Sequence, residues 1–535
     1  MKIVSKQKAA ALIGNGDFIG CAGFVGAGHA EAVTAALEAR FLAEGAPCDL
    51  TLVFSAGQGD RATRGVNHFG NRGMTRRIVG GHWRSAPRLA ALALSGEAEA
   101  LNLPQGIITQ LFRAIAAGKS GLMSKIGLYT FVDPRESGGR LNAVRFSQLP
   151  RPNRWDEWVR RVEFDGEEQL FYPSFPVNVA LLRGTSSDAL GNIGCEEEAF
   201  HHELLVLAQA AHNSGGKVIV QVKRIIERHA SLALVRVPGI LVDYVVVCDD
   251  DSEHAMTFGE TFNPSYLAAG NGQIEAVARA TVLDARAIIQ RRAVLELWRR
   301  RPRVVNLGVG MPAAVGAMAH GEGISGFTLT VEAGPIGGVP ADGFSFGASA
   351  YPEAVIDQPS QFDFYEGGGI DMAFLGLAEF DTHGNVNVSM FGSGENRIIA
   401  GVGGFINITQ SAKALVFMGT FTASGLDVAG EAGRLVIRSE GRCAKLVKQV
   451  SHLSFNGPYV AAMGIPILYI TERAVFELRQ GQLTLTEIAP GVDLERDILA
   501  FAKGDISVAA DLVPMDARIF TEGPMLAAQS SSPMA

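Results

Sequence analysis

The chain has 535 residues, 47% hydrophobic and 19% charged, with a formal net charge of −8. That length exceeds what one hydrophobic core sustains and predicts two or three domains. The acidic balance argues against a nucleic-acid surface, and five scattered cysteines without Cys/His pairs at metal spacing fit a reduced compartment and no metal site.

In chain order, the N-terminal "MKIVSKQKAAALIG" carries lysines but lacks the apolar core of a signal peptide, so a cytoplasmic location is expected. "CDLTLVFSAGQG" (48–59), "GGKVIVQVKRI" (215–225) and "LVDYVVVC" (241–248) read as buried strands. The longest apolar run, 230–248, is broken by Arg236, Pro238 and Asp243 and cannot span a bilayer. "RATVLDARAIIQRRAVLELWRR" (279–300) has helical periodicity and, with an exposed "RRRPR" end (299–303), reads as the connector between the halves. The 63 glycines fall in short bursts between apolar runs, as strand-to-helix turns require. Continuous apolar strands between helices predict an α/β fold with largely parallel sheets. The tail "QSSSPMA" is expected to be disordered.

Three segments recur in the same order. "GHAEAV" (28–33) returns as "GMPAAV" (310–315), and "LVFSAG" (52–57) as "LTVEAG" (329–334). "NVALLRGTSSDALGNIG" (178–194) returns as "DMAFLGLAEFDTHGNVN" (371–387), each with a D-x-x-G-N turn. The offsets run 282, 277 and 193, so the first copy carries extra sequence in its middle. The repeat predicts two homologous open α/β domains: residues 1–270, a helical connector 271–300, residues 301–523 containing Glu332, and a tail 524–535.

The second copy holds an acid where the first holds a hydroxyl: Glu332 aligns with Ser55. A carboxylate needed for structure would be needed in both copies. Three readings of Glu332 are open. It is a solvated strand-end acid, the default for a surface carboxylate. Or it grips a ribose, because Gly308-x-Gly310-x-x-Ala313 precedes it at near dinucleotide spacing; but a Gly-Pro-Ile-Gly-Gly loop, not a helix, comes after it. Or it is a nucleophile, ionised at neutral pH with an ordinary carboxylate pKa of about 4.3, which needs an activated substrate such as a thioester and oxyanion donors. The glycine turn "GVGGF" (401–405) could supply those donors.

The chain resembles the family I CoA-transferases, in particular the single-chain short-chain acyl type that act on acetate or propionate. The resemblance rests on "GGHWRSAPRL" (80–89), "NLPQG" (102–106), "TFVDPR" (130–135), "VEAGPIGGVP" (331–340), "FDFYEGGGIDMAFLGLAEFD" (362–381), "GNVNVSMFG" (384–392), "GVGGFINITQ" (401–410), "GTFTASGL" (419–426) and "ITERAVFEL" (470–478). "GFVGAGHAEAV" (23–33) is similar to the family's first-domain signature, with Ala30 where proline is common. The resemblance implies an α-type half fused to a β-type half. It implies that Glu332 becomes a glutamyl-CoA thioester, that Gly403 and Gly404 give oxyanion N–H groups, that Gln105 reaches the active site, and that Gly308 and Gly310 approach CoA. Val331-Glu332-Ala333-Gly334 departs from the commoner Ser-Glu-Asn-Gly but keeps the nucleophile.

The implied reaction is a ping-pong exchange of CoA between an acyl-CoA and a free short-chain acid. It needs no cofactor beyond CoA and acyl-CoA as substrates, no nucleic acid and no membrane, and the resemblance implies a homo-oligomer, dimer or tetramer. His82 has no base to be in this route and reads as packing beside Trp83. The small residues Gly347 to Ala350 suggest room for a short acyl chain. An acyl-CoA hydrolase sharing the intermediate and a non-catalytic ligand-sensing module on the same scaffold are the alternatives.

Overall fold

A computed structural model describes residues 1–144, 157–248, 250–269 and 282–526. Residues 279–281 of the expected helix and 527–535 of the expected tail lie outside the described residues. Contacts divide the chain into two compact units: Met1–Gly270 with Val331–Tyr365 and Ser389–Asn407, and Asn271–Thr330 with Glu366–Val388 and Ile408–Ala535.

The first unit is built on eight parallel strands. They are β1 (Lys2–Ile3), β2 (Phe18–Cys21), β3 (Leu50–Phe54), β4 (Thr75–Gly80), β5 (Glu99–Asn102), β6 (Val179–Arg183), β7 (Lys217–Val222) and β8 (Tyr244–Val247), in the spatial order β1-β8-β7-β6-β2-β3-β4-β5. Strands such as "LTLVF" and "VALLR" are buried along their whole length, which is why their sequences are apolar without alternation. The chain winds one way from β2 through β5 and the other way from β6 through β8, so the order reverses between β2 and β6.

The second unit holds β9 (Val304–Leu307), β10 (Thr328–Thr330), β11 (Met372–Gly376), β12 (Leu415–Met418), β13 (Ile467–Ile470), β14 (Ala474–Arg479), β15 (Gln482–Ile488) and β16 (Ser507–Pro514). Their order is β10-β9-β11-β12-β13-β14-β15-β16, parallel from β10 to β13 and antiparallel on either side of β14. Here the winding reverses between β9 and β11.

The two sheets share the inner order that the repeat predicts. Gly20 on β2 stands opposite Val53 and Ala180, and Asn306 on β9 opposite Thr330 and Ala373. Val53 and Thr330 are 277 apart, Ala180 and Ala373 193 apart, the offsets of the second and third sequence matches. Both D-x-x-G-N turns fold alike. The Asp188 Oδ1 accepts from the N–H groups of Leu190 and Asn192 (2.9 Å each), and the Asp381 Oδ1 from those of His383 and Asn385 (3.0 Å each). In each, the asparagine Oδ1 then takes a distant glycine N–H, Gly239 to Asn192 (2.9 Å) and Gly457 to Asn385 (3.0 Å).

Two expectations are corrected. The helix Ala285–Arg300, capped by Asp284 on the Ala287 N–H (2.8 Å), is part of the second unit rather than a separate connector: Ile288, Ile289, Val294 and Leu297 are buried in that unit's apolar core, while its arginine end, Arg299 to Arg301, is exposed as expected. Its arginines serve packing too, since the Arg292 guanidinium is buried against Glu487 (2.6 Å). The tail is packed as far as it is described, with Met525 buried and its N–H held by Glu322 (2.8 Å). Among the described residues, no helix is long and apolar enough to cross a membrane.

Candidate active site

Glu332 comes two residues after β10, in a tight turn closed by Gly334 N–H to Val331 O (3.0 Å) and Val331 N–H to Pro335 O (3.0 Å). Gly334 has φ +123°, and a Cβ there would lie 2.0 Å from the Ile356 carbonyl oxygen, so only glycine lets the turn lie on that segment. Val331 and Ala333, on either side of Glu332, are buried in an apolar cluster with Phe24, Ala56 and Phe200 and anchor the turn. Glu332 itself is half-buried. Among the described residues nothing donates to its carboxyl, and burial pushes that group up to about 7. This corrects the expected ordinary carboxylate: near neutral pH about half of it carries a proton.

Against the carboxyl lies Gly404. A Cβ at Gly404 would be 3.2 Å from the Glu332 carboxyl carbon and Oε1, and 3.1 Å from Phe362 Cζ. The preceding Gly403 is fixed on both sides: its N–H donates to Gly81 O (2.7 Å), and its C=O accepts from the Gln105 N–H (2.9 Å). The Val402 N–H donates to Asn102 Oδ1 (3.0 Å), and the Trp83 N–H to Ala400 O (2.7 Å). The loop 400–404 is thus sewn to the ends of β4 and β5. The Gly403 N–H is committed and cannot serve a ligand; among the described residues the Gly404 N–H has no acceptor.

Gln105 opens the helix Gln105–Ala116, immediately after Pro104, which suits a helix start. Its side chain is buried, with Oε1 3.5 Å from where a Cβ of Gly403 would stand, and among the described residues its Nε2 has no partner. A buried amide donor left open beside a glycine turn is a group waiting for an acceptor. His82 stands on the other side of Gly403, its Cβ and Cδ2 3.8 Å from the same Cβ position. Burial, with the charges of Arg84 and Arg61, lowers the His82 imidazole to about 4, so it is neutral at pH 7. It lines the turn rather than only packing beside Trp83.

Glu332, Gly403, Gly404 and Gln105 therefore come together within the first unit. Gly308 and Gly310 belong to the second, in the loop that leaves β9 where the strand order reverses. The Gly308 N–H donates to Phe374 O (2.8 Å), and Arg286 and Gln290 hold the carbonyls of Gly310 and Met311 (2.8 Å each). Among the described residues, nothing but its own chain neighbours stands within 4 Å of a Cβ placed on Gly310. Bare backbone at such a reversal, at the carboxyl ends of parallel strands, is where open α/β sheets take ligands.

A family model described as Coenzyme A transferase matches residues 3–248. Over 526 residues the chain is 43% identical to the caffeate CoA-transferase of Acetobacterium woodii, covering 97% of this chain and 98% of that one. The chain belongs to the coenzyme A transferase family. This CoA-transferase is also 39% identical to the acetate CoA-transferase YdiF of Escherichia coli K12, over 94% of this chain and 92% of that one. Two crystal structures of the acyl-CoA transferase YdiF from E. coli O157:H7, the apoenzyme and a thioester complex with CoA, superpose with TM-scores of 0.89 and 0.88. Each is 36% identical, and the match covers 98% of this chain and 97% of that one. The fused two-half architecture of the transferase agrees with the internal repeat.

Several residues at the site carry no signal in the sequence. Asn102 bonds three backbone groups, donating to Gly80 O (2.8 Å) and Gly81 O (2.5 Å) as well as accepting from Val402. Asn407 Oδ1 accepts from the Gly106 N–H (3.2 Å), and Phe362 walls the carboxyl. Asn102 and Phe362 lie inside segments that carry the family resemblance, but nothing local distinguishes a side chain that holds a distant loop. Gly347, one of the small residues at 347–350, has a packing cause: a Cβ there would lie 2.6 Å from Phe24 and 2.9 Å from Phe200.

Proposed function

We propose that Glu332 is the nucleophile of a ping-pong exchange that moves CoA between a short-chain acyl-CoA and a free short-chain carboxylate. The observation that carries this reading is the carboxyl of Glu332, without a donor of its own, set against Gly404 with its uncommitted N–H and near Gln105 with its uncommitted Nε2. A solvated strand-end acid would not be buried enough to titrate near 7.

The ionised Glu332 oxygen attacks the thioester carbonyl, the C–S bond breaks, and CoA thiolate leaves a mixed anhydride. The thiolate then attacks the glutamyl carbonyl and the acyl group departs as its carboxylate, leaving a glutamyl-CoA thioester; an acceptor acid reverses the steps. Burial makes the ionised Glu332 more basic than an exposed carboxylate and so a stronger nucleophile. Negative charge develops on the attacked carbonyl oxygen, and the Gly404 N–H is the backbone donor left open to meet it; Gly403, first paired with it, is bound to Gly81. Gln105 Nε2 is the side-chain donor for a substrate oxygen. Gly308 and Gly310 give CoA a bare surface in the second unit.

The test is intact-mass analysis after incubation with acetyl-CoA and no acceptor. The reading predicts a gain of one CoA less one water, reversed by acetate and absent from Glu332→Ala. An unchanged mass overturns it. Acetate, propionate and caffeate as acceptors then rank the acids, and CoA release that does not depend on an acceptor identifies a hydrolase instead.

A further inference from the structure

Behind the turn of Ser55, the counterpart of Glu332 in the first half, lies a buried polar chain that the exchange itself does not use. Ser55 is fully buried, and its Oγ donates to Glu203 Oε1 (2.7 Å) and accepts from Gln358 Nε2 (3.1 Å). Glu203 is 1% exposed and Gln358 is fully buried; among the described residues neither Glu203 Oε2 nor Gln358 Oε1 has a partner. No arginine, lysine or protonated histidine pairs with Glu203 among the described residues. A carboxylate in that setting would leave a bare charge in apolar surroundings, which is far costlier than a neutral acid.

The chain leads to the nucleophile. Gln358 opens the helix Gln358–Phe364, whose start is also held by Gln358 N–H to His202 O (3.0 Å) and by Asp357 on the Ser360 N–H (3.2 Å). One turn later on the same face stands Phe362, which crowds Gly404 from beside the Glu332 carboxyl. We infer that Glu203, as a neutral carboxylic acid, is a positioning residue: through Ser55 and Gln358 it sets the helix that seats Phe362 beside Glu332. This rests on Glu332 being the nucleophile.

The surroundings keep the acid neutral near pH 7. Burial pushes Glu203 up to about 7, with the Ser55 bond opposing. Cys21 on β2 faces it as a neutral thiol, raised first by burial and then by Glu203. Burial lowers its chain neighbours His201 and His202 to about 4 and about 3, so both are uncharged. The buried Arg183 guanidinium spends its donors on Glu198 (2.5 Å) and on the carbonyls of Ala255 and Met256, not on Glu203. As pH rises, ionisation of Glu203 puts an unpaired charge at the root of the helix. Exchange thus needs Glu332 ionised and Glu203 protonated, and the two requirements oppose each other in pH.

The experiment is the pH profile of kcat/KM for acetyl-CoA in wild type and Glu203→Gln, with the CoA adduct on Glu332 measured in parallel. Wild type is expected to trace a bell, rising through about 7 and falling about tenfold per pH unit on its alkaline side. Glu203→Gln, which keeps the shape without the ionisation, is expected to hold a plateau there. An unchanged alkaline fall in the variant overturns the inference, as does loss of exchange at every pH in a folded variant. An absent adduct in wild type overturns the Glu332 reading and this inference with it, whereas an adduct that forms beside an unchanged alkaline fall overturns this inference alone. If Glu203→Gln does not fold, infrared spectra of Glu332→Ala at pH 6 and pH 9 decide: a buried protonated carboxyl band that fades with rising pH supports the inference, and its absence at pH 6 overturns it.

Discussion

Ser55 and Glu332 occupy matching positions after matching strands, β3 and β10, yet their surroundings are opposite. Ser55 is sealed in, giving one hydrogen bond to Glu203 and taking one from Gln358. Glu332 is half-buried and takes none, with an open N–H beside it. Where the backbone itself sets the requirement, the halves agree: the D-x-x-G-N turns reproduce their bonds within 0.1 Å. They part company at the position where one polar group is left unsatisfied, and an unsatisfied buried group is a poised one.

The comparison can be broken most sharply by removing each side chain. Glu332→Ala is expected to lose exchange by at least about 10⁴-fold, because on the proposed route Glu332 carries the covalent intermediate, while Ser55→Ala, which removes two buried hydrogen bonds of about 1 kcal/mol each, is expected to lose no more than about thirtyfold. Steady-state rates with acetyl-CoA and propionate check both. Moving the acid, Ser55→Glu in a Glu332→Ala background, is expected to restore nothing, since that position is sealed and faces Glu203; restored exchange would show the surroundings to be irrelevant. Gly404→Ala places a methyl 3.2 Å from the Glu332 carboxyl; it keeps the N–H but pushes it and the carboxyl apart, and is expected to cut kcat by about 10² to 10³, the scale on which a misplaced oxyanion donor acts. Gly308→Ala, with its Cβ 3.3 Å from Leu375 and Phe374 O, is expected to raise KM for acetyl-CoA about threefold and leave kcat alone, as loss of uniform binding does.

Stability gives a smaller and oppositely signed effect. The Glu332 carboxyl titrates at about 7 when folded against 4.5 ordinarily. The fold therefore binds that proton more tightly than the unfolded chain, and stability falls as pH rises from 4.5 through 7. Above pH 7 the buried charge costs up to about 3 kcal/mol. Glu332→Gln is expected to raise Tm at pH 8 and to change it little at pH 4, read by calorimetry; a Tm gain equal at both values would contradict the shift.

Much of this was legible in the sequence because repetition and strand apolarity are local or nearly so. That the two sheets share one inner arrangement follows from three segment matches, though the strand order itself does not, and Glu332 stood out by lacking a counterpart. What was hidden depends on pairs far apart in the chain. That 331–365 and 389–407 pack with the first unit, so that Glu332 meets Gly404 and Gln105 there, is a matter of contacts more than 70 residues long. The committed N–H of Gly403 follows from Gly81, over 300 residues away. Burial raises Glu332 above an ordinary carboxylate, and burial of a strand-end acid has no signature in its own neighbours.

The most direct test tracks oxygen. Acetate labelled with heavy oxygen in both positions is incubated with the enzyme and catalytic acetyl-CoA through many turnovers. Each passage through the mixed anhydride leaves one acetate oxygen on the attacking carboxyl, so the peptide containing Glu332 is expected to grow heavier by one and then two label atoms, and the peptide containing Ser55 not at all. Continued CoA exchange with an unlabelled Glu332 peptide would contradict the account at its root.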